Sequence, residues 1–313
     1  MITALDHIII GVNNLEQATK TFSEKLGLIA SGGGIHPVGG TANRIILIGD
    51  TYLELITVRT PAEAQQSILD RLSKGEGYLN FVLSSNDIEA DSAALRGRGV
   101  SITGPTPGQL KSPDGRTRGW SRVDIERPDL AQHYPFLIQH DSTGEERRYR
   151  LAGWTTPPAH PLGAIKVLSV TIAVEDLEEA AARFQHIYGL HASAPFSGEA
   201  DGWEARLVSC PLGQSGQHLE LAAPLPFPTD LVGTELLPEP GALRRHLQRF
   251  GESLCRMTLA VESLQLSRRH LDEHGVTYTY LENERPVLWI HPHQSCEAAI
   301  MLLEPSTVTK IYC

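Results

Sequence analysis

A chain of 313 residues with 41% hydrophobic side chains can bury a large core, and its length suggests about two domains. Its net charge of −10 disfavours nucleic acid and anionic membrane surfaces as partners. No apolar run reaches the ~18 residues of a membrane span, and Asp6 and His7 stand where a signal peptide would be apolar, so a cytoplasmic protein is expected. Cys210, Cys255, Cys296 and Cys313 lack C-x-x-C spacing and read as reduced thiols.

The chain opens on alternation. Ile8, Ile10 and Val12 alternate with His7, Ile9 and Gly11, the period of a half-buried strand. From Leu15 the period lengthens, and Leu15, Ala18, Phe22 and Leu26 form one stripe of an amphipathic helix. Asn13 and Asn14 can cap its free N–H groups, and Gly27 stands where it should stop. His7 is then the polar side chain on the strand face turned away from the helix. Next, the glycine-rich segment 32–40 surrounds His36, and Thr41 and Asn43 lead into two strands, RIILIGD and TYLELITV, the second carrying Glu54.

A second strand and capped helix follow at 79–100, then the strands GWSRVDIE and YPFLIQ. The stretch SPDGRTRGWSR reads as a hairpin in which Arg116, Arg118, Trp120 and Arg122 share a face. That face either lines a cavity and binds a carboxylate or is simply solvated. Residues 141–163 are charged and then proline-rich, as expected of a linker.

After the linker the pattern returns. Residues 12–28 match 174–190 without a gap, with Val12, Leu15, Ala18, Phe22 and Gly27 repeated at Val174, Leu177, Ala180, Phe184 and Gly189. The segment at 255–276 echoes 79–100. Four units of a strand, a helix and further strands therefore tile the chain, at about 2–60, 77–140, 164–224 and 252–305. Residues 1–140 and 164–313 are expected to form two domains. The proline-containing stretch at 224–250 is long for a plain connection and is expected to supply a lid or a packing helix. The chain has no P-loop, no G-x-G-x-x-G opening a helix and no G-x-S-x-G, and His291, His293 and Cys296 lack the partners of a zinc site.

A strand–helix–three-strand unit used in pairs resembles the vicinal oxygen chelate superfamily, whose members include glyoxalase I, extradiol dioxygenases and bleomycin-binding proteins. The opening LDHIIIGVNNLEQATKTFSEKLGL is similar to the start of that module. GGGIHPVGGTANRIILIGDTYLELI resembles its glyoxalase-like branch. The resemblance implies an α+β fold: four βαβββ modules paired into two cup-shaped mixed sheets. It also implies a divalent metal inside a cup, held by one residue from the first and one from the last strand of each module.

Carried over by position, the first module offers His7 and Glu54, and the second offers Asn80 and Phe136. The C-terminal half offers Ser169, Glu220, Arg256 and Met301. Phenylalanine cannot bind a metal, and Glu220 facing Arg256 is an ion pair or an anion site. Any metal is therefore expected in the N-terminal half, where His36 could join His7 and Glu54 in a set suited to Fe, Mn or Zn. Equally open is a metal-free cup in which His7 and Glu54 bind substrate or act as acid and base, with Glu54 the expected base. Contacts to a small-molecule ligand are expected from His36, Thr41, Asn43, Asn80, Trp120 and Phe136, with turn formation the alternative for Thr41 and Asn43. The implied activity is that of a lyase, isomerase or dioxygenase; the alternative is a non-catalytic binding protein. Exposed sheet edges leave room for a homodimer.

Overall fold

The computed structural model describes residues 1–36, 38–112, 114–126, 134–199, 203–225 and 241–305. The first half runs β1 (Ile2–Gly11), α1 (Leu15–Lys20, continued by a π-helical turn), β2 (Ser31–Ile35), β3 (Thr41–Ile48), β4 (Thr51–Val58) and α2 (Gln66–Ser73). It continues with β5 (Gly77–Ser85), α3 (Ile88–Gly97), β6 (Ile102–Lys111), β7 (Thr117–Ile125) and β8 (Phe136–His140), then α4 (Gly144–Ala152). The second half runs β9 (Ala164–Ala173), α5 (Leu177–Tyr188), β10 (Phe196–Ser197), β11 (Ala205–Leu212), β12 (Gln217–Pro224) and α6 (Ala242–Phe250). It closes with β13 (Ser253–Val261), α7 (Leu264–Glu273), β14 (Tyr278–Leu281), β15 (Val287–Ile290) and β16 (Ala299–Leu303).

The strands form two eight-stranded mixed sheets, ordered β2-β3-β4-β1-β5-β8-β7-β6 and β10-β11-β12-β9-β13-β16-β15-β14. In both, the first strands of two modules pair antiparallel at the centre, and each pairs parallel with the last strand of its own module. The expected α+β architecture of four βαβββ modules is thus present. Its register also carries the positional equivalences read from the repeat. Ile9 faces Glu54 and Val82 faces Phe136, just as Thr171 faces Glu220 and Thr258 faces Met301.

The repeated punctuation explains why the modules recur. Asn14 caps α1 by accepting from the Gln17 N–H, and Asp176 caps α5 by accepting from Glu178 and Glu179. Gly27 and Gly189 turn the chain out of the helices at φ 68° and 70°. At Gly27 the turn also joins the two halves, since its carbonyl accepts from the Leu162 N–H at 3.2 Å. A Cβ there would lie 2.8 Å from that nitrogen. Gly27→Ala is therefore expected to cost about 1–3 kcal/mol in urea unfolding, from left-handed strain plus the clash.

The helix-bearing faces of both sheets merge into one apolar core, in which Ile8, Ile10, Phe22, Leu26 and Leu95 share a cluster with Val170, Ile172, Phe184 and Leu271. Gln217 pins the halves together by accepting from the Leu5 N–H and donating to Thr51 Oγ1 and the Val167 carbonyl.

The opposite, cup-shaped faces differ. The C-terminal cup is filled by Trp203, Trp289 and Met301, with Leu243 and Leu247 of α6 inserted among them. Arg256 bonds Glu220 at 2.8 Å and lies 4.2 Å from the Trp203 ring centre, so the expected pair is an ion pair inside a plug. The helix expected between the third and fourth modules is thus a packing helix; residues 226–240, where a lid was also expected, lie outside the described residues.

Residues 141–163 are more than a linker, because they contain α4, which packs on β2 and β3. Among the described residues no helix is long and apolar enough to cross a membrane. Cys210, Cys255 and Cys296 are free thiols, and Cys313 lies outside the described residues.

Candidate functional site

The N-terminal cup encloses a cavity of about 590 Å³ whose wall includes His7, Glu54, His36, Arg118, Trp120 and Phe136. How β1 supplies its part depends on an irregularity. Leu5 pairs with Leu83 and His7 with Val82, so Asp6 is an extra residue, a β-bulge. Strict alternation would send Asp6 to the helix side. The bulge instead brings its carboxylate beside His7. The same bulge recurs in the other three modules with Leu79, Leu168 and Cys255 as the extra residue, so only the first module places a carboxylate there.

Asp6 is fully committed. Its Oδ1 accepts from His7 Nδ1 at 2.8 Å and His140 Nε2 at 3.2 Å, and its Oδ2 accepts from Arg147 Nη2 at 2.8 Å. Burial alone would raise the carboxyl; the Arg147 charge, then His140, then His7, outweigh it and hold the pKa well below the usual carboxylate range. An ionised carboxylate only accepts, so His7 carries a proton on Nδ1. Nε2 therefore points to the cup, 3.6 Å from Glu54 Oε2. The His7 ring lies flat on Tyr52, with centroids 4.5 Å apart. Asp6, His140 and Arg147 belong to this candidate site and were missed by the period-two reading. Only the adjacency of Asp6 to His7 signalled any of them.

Glu54 is held from its other side. Asn43 Nδ2 donates to Glu54 Oε1 at 2.5 Å and to His36 Nε2 at 3.1 Å, while Asn43 Oδ1 accepts from the Gly34 N–H. That backbone contact settles which end of the amide faces Glu54. With a neutral ring, His36 accepts at Nε2, which also lies 3.5 Å from Glu54 Oε1, and donates from Nδ1 to Thr41 Oγ1, 2.7 Å away. Burial alone would raise the Glu54 carboxyl; the His36 hydrogen bond and positive charge on the His7 and His36 rings, with the Asn43 amide, overcome this and hold its pKa at about 2.

The sign of the pH dependence follows from that depression. Glu54 contributes its full stabilisation above the unfolded pKa of 4.5 and loses it as pH falls toward about 2. Urea unfolding between pH 5 and pH 3 should show a loss approaching ~3 kcal/mol in total. In Glu54→Gln the slope should be shallower, with Asp6 supplying the remainder.

The three-donor metal set of His7, His36 and Glu54 is not formed. Two of its lone pairs, on His36 Nε2 and Glu54 Oε1, converge on the Asn43 amide hydrogens, so a cation there would face a donor. Among the described residues no three His, Cys, Asp or Glu side chains are arranged to hold a metal ion. Asn80 and Phe136, at the positions equivalent to His7 and Glu54, offer no substitute.

Other expected ligand contacts are redistributed. Asn43 is fully buried, so it positions Glu54 and His36 and does not meet a ligand. Thr41 lines the cavity but spends its hydroxyl on His36. Asn80 borders the cavity, yet its amide donates to the Tyr134 carbonyl and accepts from the Phe81 N–H. Trp120 and Phe136 form apolar wall, with the Arg122 guanidinium 3.6 Å above the Phe136 ring centre. Arg116 is directed away, toward Asp114 and the Tyr149 carbonyl.

Residues 5–188, which span this cup and the start of the next, match the family model of a glyoxalase-like domain. The chain belongs to the glyoxalase-like domain family. Comparison with curated proteins gives no significant match. Among solved structures, a hypothetical protein from Staphylococcus aureus aligns over 97% of this chain and 100% of its own at 13% identity, with a TM-score of 0.65. A mutant of 4-hydroxymandelate synthase from Streptomyces coelicolor aligns over 96% of this chain and 93% of its own at 11% identity, with a TM-score of 0.63. A fusion of a xylose isomerase-like TIM barrel with 4-hydroxyphenylpyruvate dioxygenase aligns over 97% of this chain and 49% of its own at 10% identity, with a TM-score of 0.59. At such identities the likeness is one of fold alone.

Proposed function

We propose that the N-terminal cup of this glyoxalase-like protein carries out acid–base chemistry on a small carbonyl compound, as an isomerase or a lyase, with His7 Nε2 moving the proton. One observation carries the reading: the Asp6 carboxylate orients His7 through Nδ1 and leaves Nε2 facing both the cavity and Glu54. A C–H bond next to a carbonyl, aimed at Nε2, gives its proton to that nitrogen while its electron pair moves toward the carbonyl oxygen. The imidazolium so formed lies between two carboxylates, Asp6 and Glu54, which stabilise it. Where the α-carbon bears a hydroxyl, transfer of that O–H proton to the former carbonyl oxygen and return of the carbon-bound proton from Nε2 to the former carbonyl carbon complete an isomerisation; where the β-carbon bears a leaving group, its departure with its bonding pair, as the enolate re-forms the carbonyl, completes an elimination.

Glu54, expected as the base, suits a different task. At a pKa of about 2 it is a weak proton acceptor and a durable anion. The dioxygenase variant of the expectation lacks a supporting donor set in these residues. Binding without turnover is the second reading, favoured by the apolar wall of Ile9, Phe136 and Ile138.

The test is solvent exchange. Small aldehydes, α-hydroxy ketones and 2-oxo acids are incubated with the protein in heavy water, and loss of the C–H signal is followed by proton NMR. Enzyme-dependent exchange is the expected result. A protein that binds these compounds without exchanging or converting any of them would be a sequestering protein.

A further inference from the structure

The cavity wall carries a charged group that neither the acid–base reading nor a protein partner among the described residues uses. Arg118, on β7, lines the cavity and is only 6% exposed. Among the described residues its guanidinium makes no hydrogen bond or ion pair, although it lies within electrostatic reach of the Tyr52 hydroxyl. The arginines on either side of it in the sequence are engaged: Arg116 with Asp114, and Arg122 with Asp124. A second buried arginine on the wall, Arg71, gives Nη1 to the Gly75 carbonyl and stacks on Phe250. The carboxylates of the wall are already held, Glu54 by Asn43 and Asp124 by Arg122. A buried guanidinium with no anion beside it is unfavourable until something negative arrives.

We propose that Arg118 is the anion-binding residue of this cavity and that its ligand is a small monocarboxylate with an apolar body. The guanidinium fork matches a carboxylate in charge and in geometry. A phosphate would bring a second negative charge toward Glu54 and Asp124. Ile9, Leu110, Trp120, Phe136 and Ile138 supply apolar wall for the rest of the molecule. Equating this ligand with the substrate rests on the acid–base reading; the binding itself does not.

Hexanoate, hexanamide and hexyl phosphate are titrated calorimetrically into the wild type, Arg118→Met, Arg118→Lys and His7→Asn, with thermal midpoints recorded for each. Hexanoate should bind the wild type at least tenfold more tightly than hexanamide and more tightly than hexyl phosphate. Arg118→Met should lose about 10- to 100-fold in hexanoate affinity with an unchanged or higher midpoint. Arg118→Lys, which keeps the charge but not the fork, should fall between.

The proposal is overturned if the wild type does not bind hexanoate, or binds the amide equally well. Undiminished binding by Arg118→Met, or tighter binding of the phosphate ester, overturns it too. An Arg118→Met protein that unfolds would contradict the lack of a structural partner, and Arg118→Lys then carries the binding comparison. His7→Asn separates the two readings, because it should retain hexanoate while losing exchange. Arg118-dependent binding in a protein that exchanges nothing removes the acid–base reading and leaves the anion site standing.

Discussion

His7→Asn is expected to lower the rate of proton exchange or turnover in the cavity by about 10²- to 10⁴-fold, with little change in KM. The asparagine amide can reach the place of Nδ1 and keep the bond to Asp6, which is 2.8 Å long in the wild type. What it removes is Nε2, the atom directed at the cavity and at Glu54. The rest of the site should stay in place, because Asn43, His36 and Thr41 position Glu54 without help from His7. A loss confined to kcat assigns proton transfer to that nitrogen. A variant within threefold of the wild type would move the chemistry to another group.

Arg147→Leu should destabilise the protein by about 3–5 kcal/mol, the usual cost of removing one partner from a buried ion pair. Arg147 reaches Asp6 from α4, giving Nη2 to the carboxylate and Nη1 to the Asp50 carbonyl. Without it Asp6 remains buried with only the two histidines as partners, and its pKa rises. The folded-state pKa is depressed in the wild type, so the stabilisation from Asp6 is complete above the usual carboxylate range and lost as pH falls below it. In the variant that acid loss should begin at higher pH. Urea unfolding at pH 7 and pH 4 measures both effects. Arg148→Leu is the control, since its partner Asp50 is exposed and the expected change is under about 1 kcal/mol. A similar small loss in Arg147→Leu would mean that the histidines alone support Asp6.

The two predictions divide one side-chain chain between chemistry and stability. Asp6 needs Arg147 to remain ionised in the core, and His7 needs an ionised Asp6 to expose Nε2. α4 therefore contributes to the site although no residue of it lines the cavity.

The architecture was legible because it rests on short-range periodicity. Strands of period two, helices of period 3.6, the caps Asn14 and Asp176 and the stops Gly27 and Gly189 are local properties of the chain, and their recurrence revealed four modules. The pairing of His7 with Glu54 across one cup was legible for the same reason, since position in a repeat survives folding. The contents of each cup were not. Asp6 enters the site because a bulge interrupts the alternation that would have turned it away. Arg147 meets it from 141 residues along the chain, out of a segment that looked like a linker. Asn43 turned from a ligand contact into a brace because the Gly34 N–H holds its oxygen, and this closed the metal set to His36. α6 set leucines into the second cup, whereas the first holds an open cavity. Local sequence determined which elements exist and which faces they bury; long-range pairing of buried charges, which no local period encodes, decided which of those faces can do chemistry.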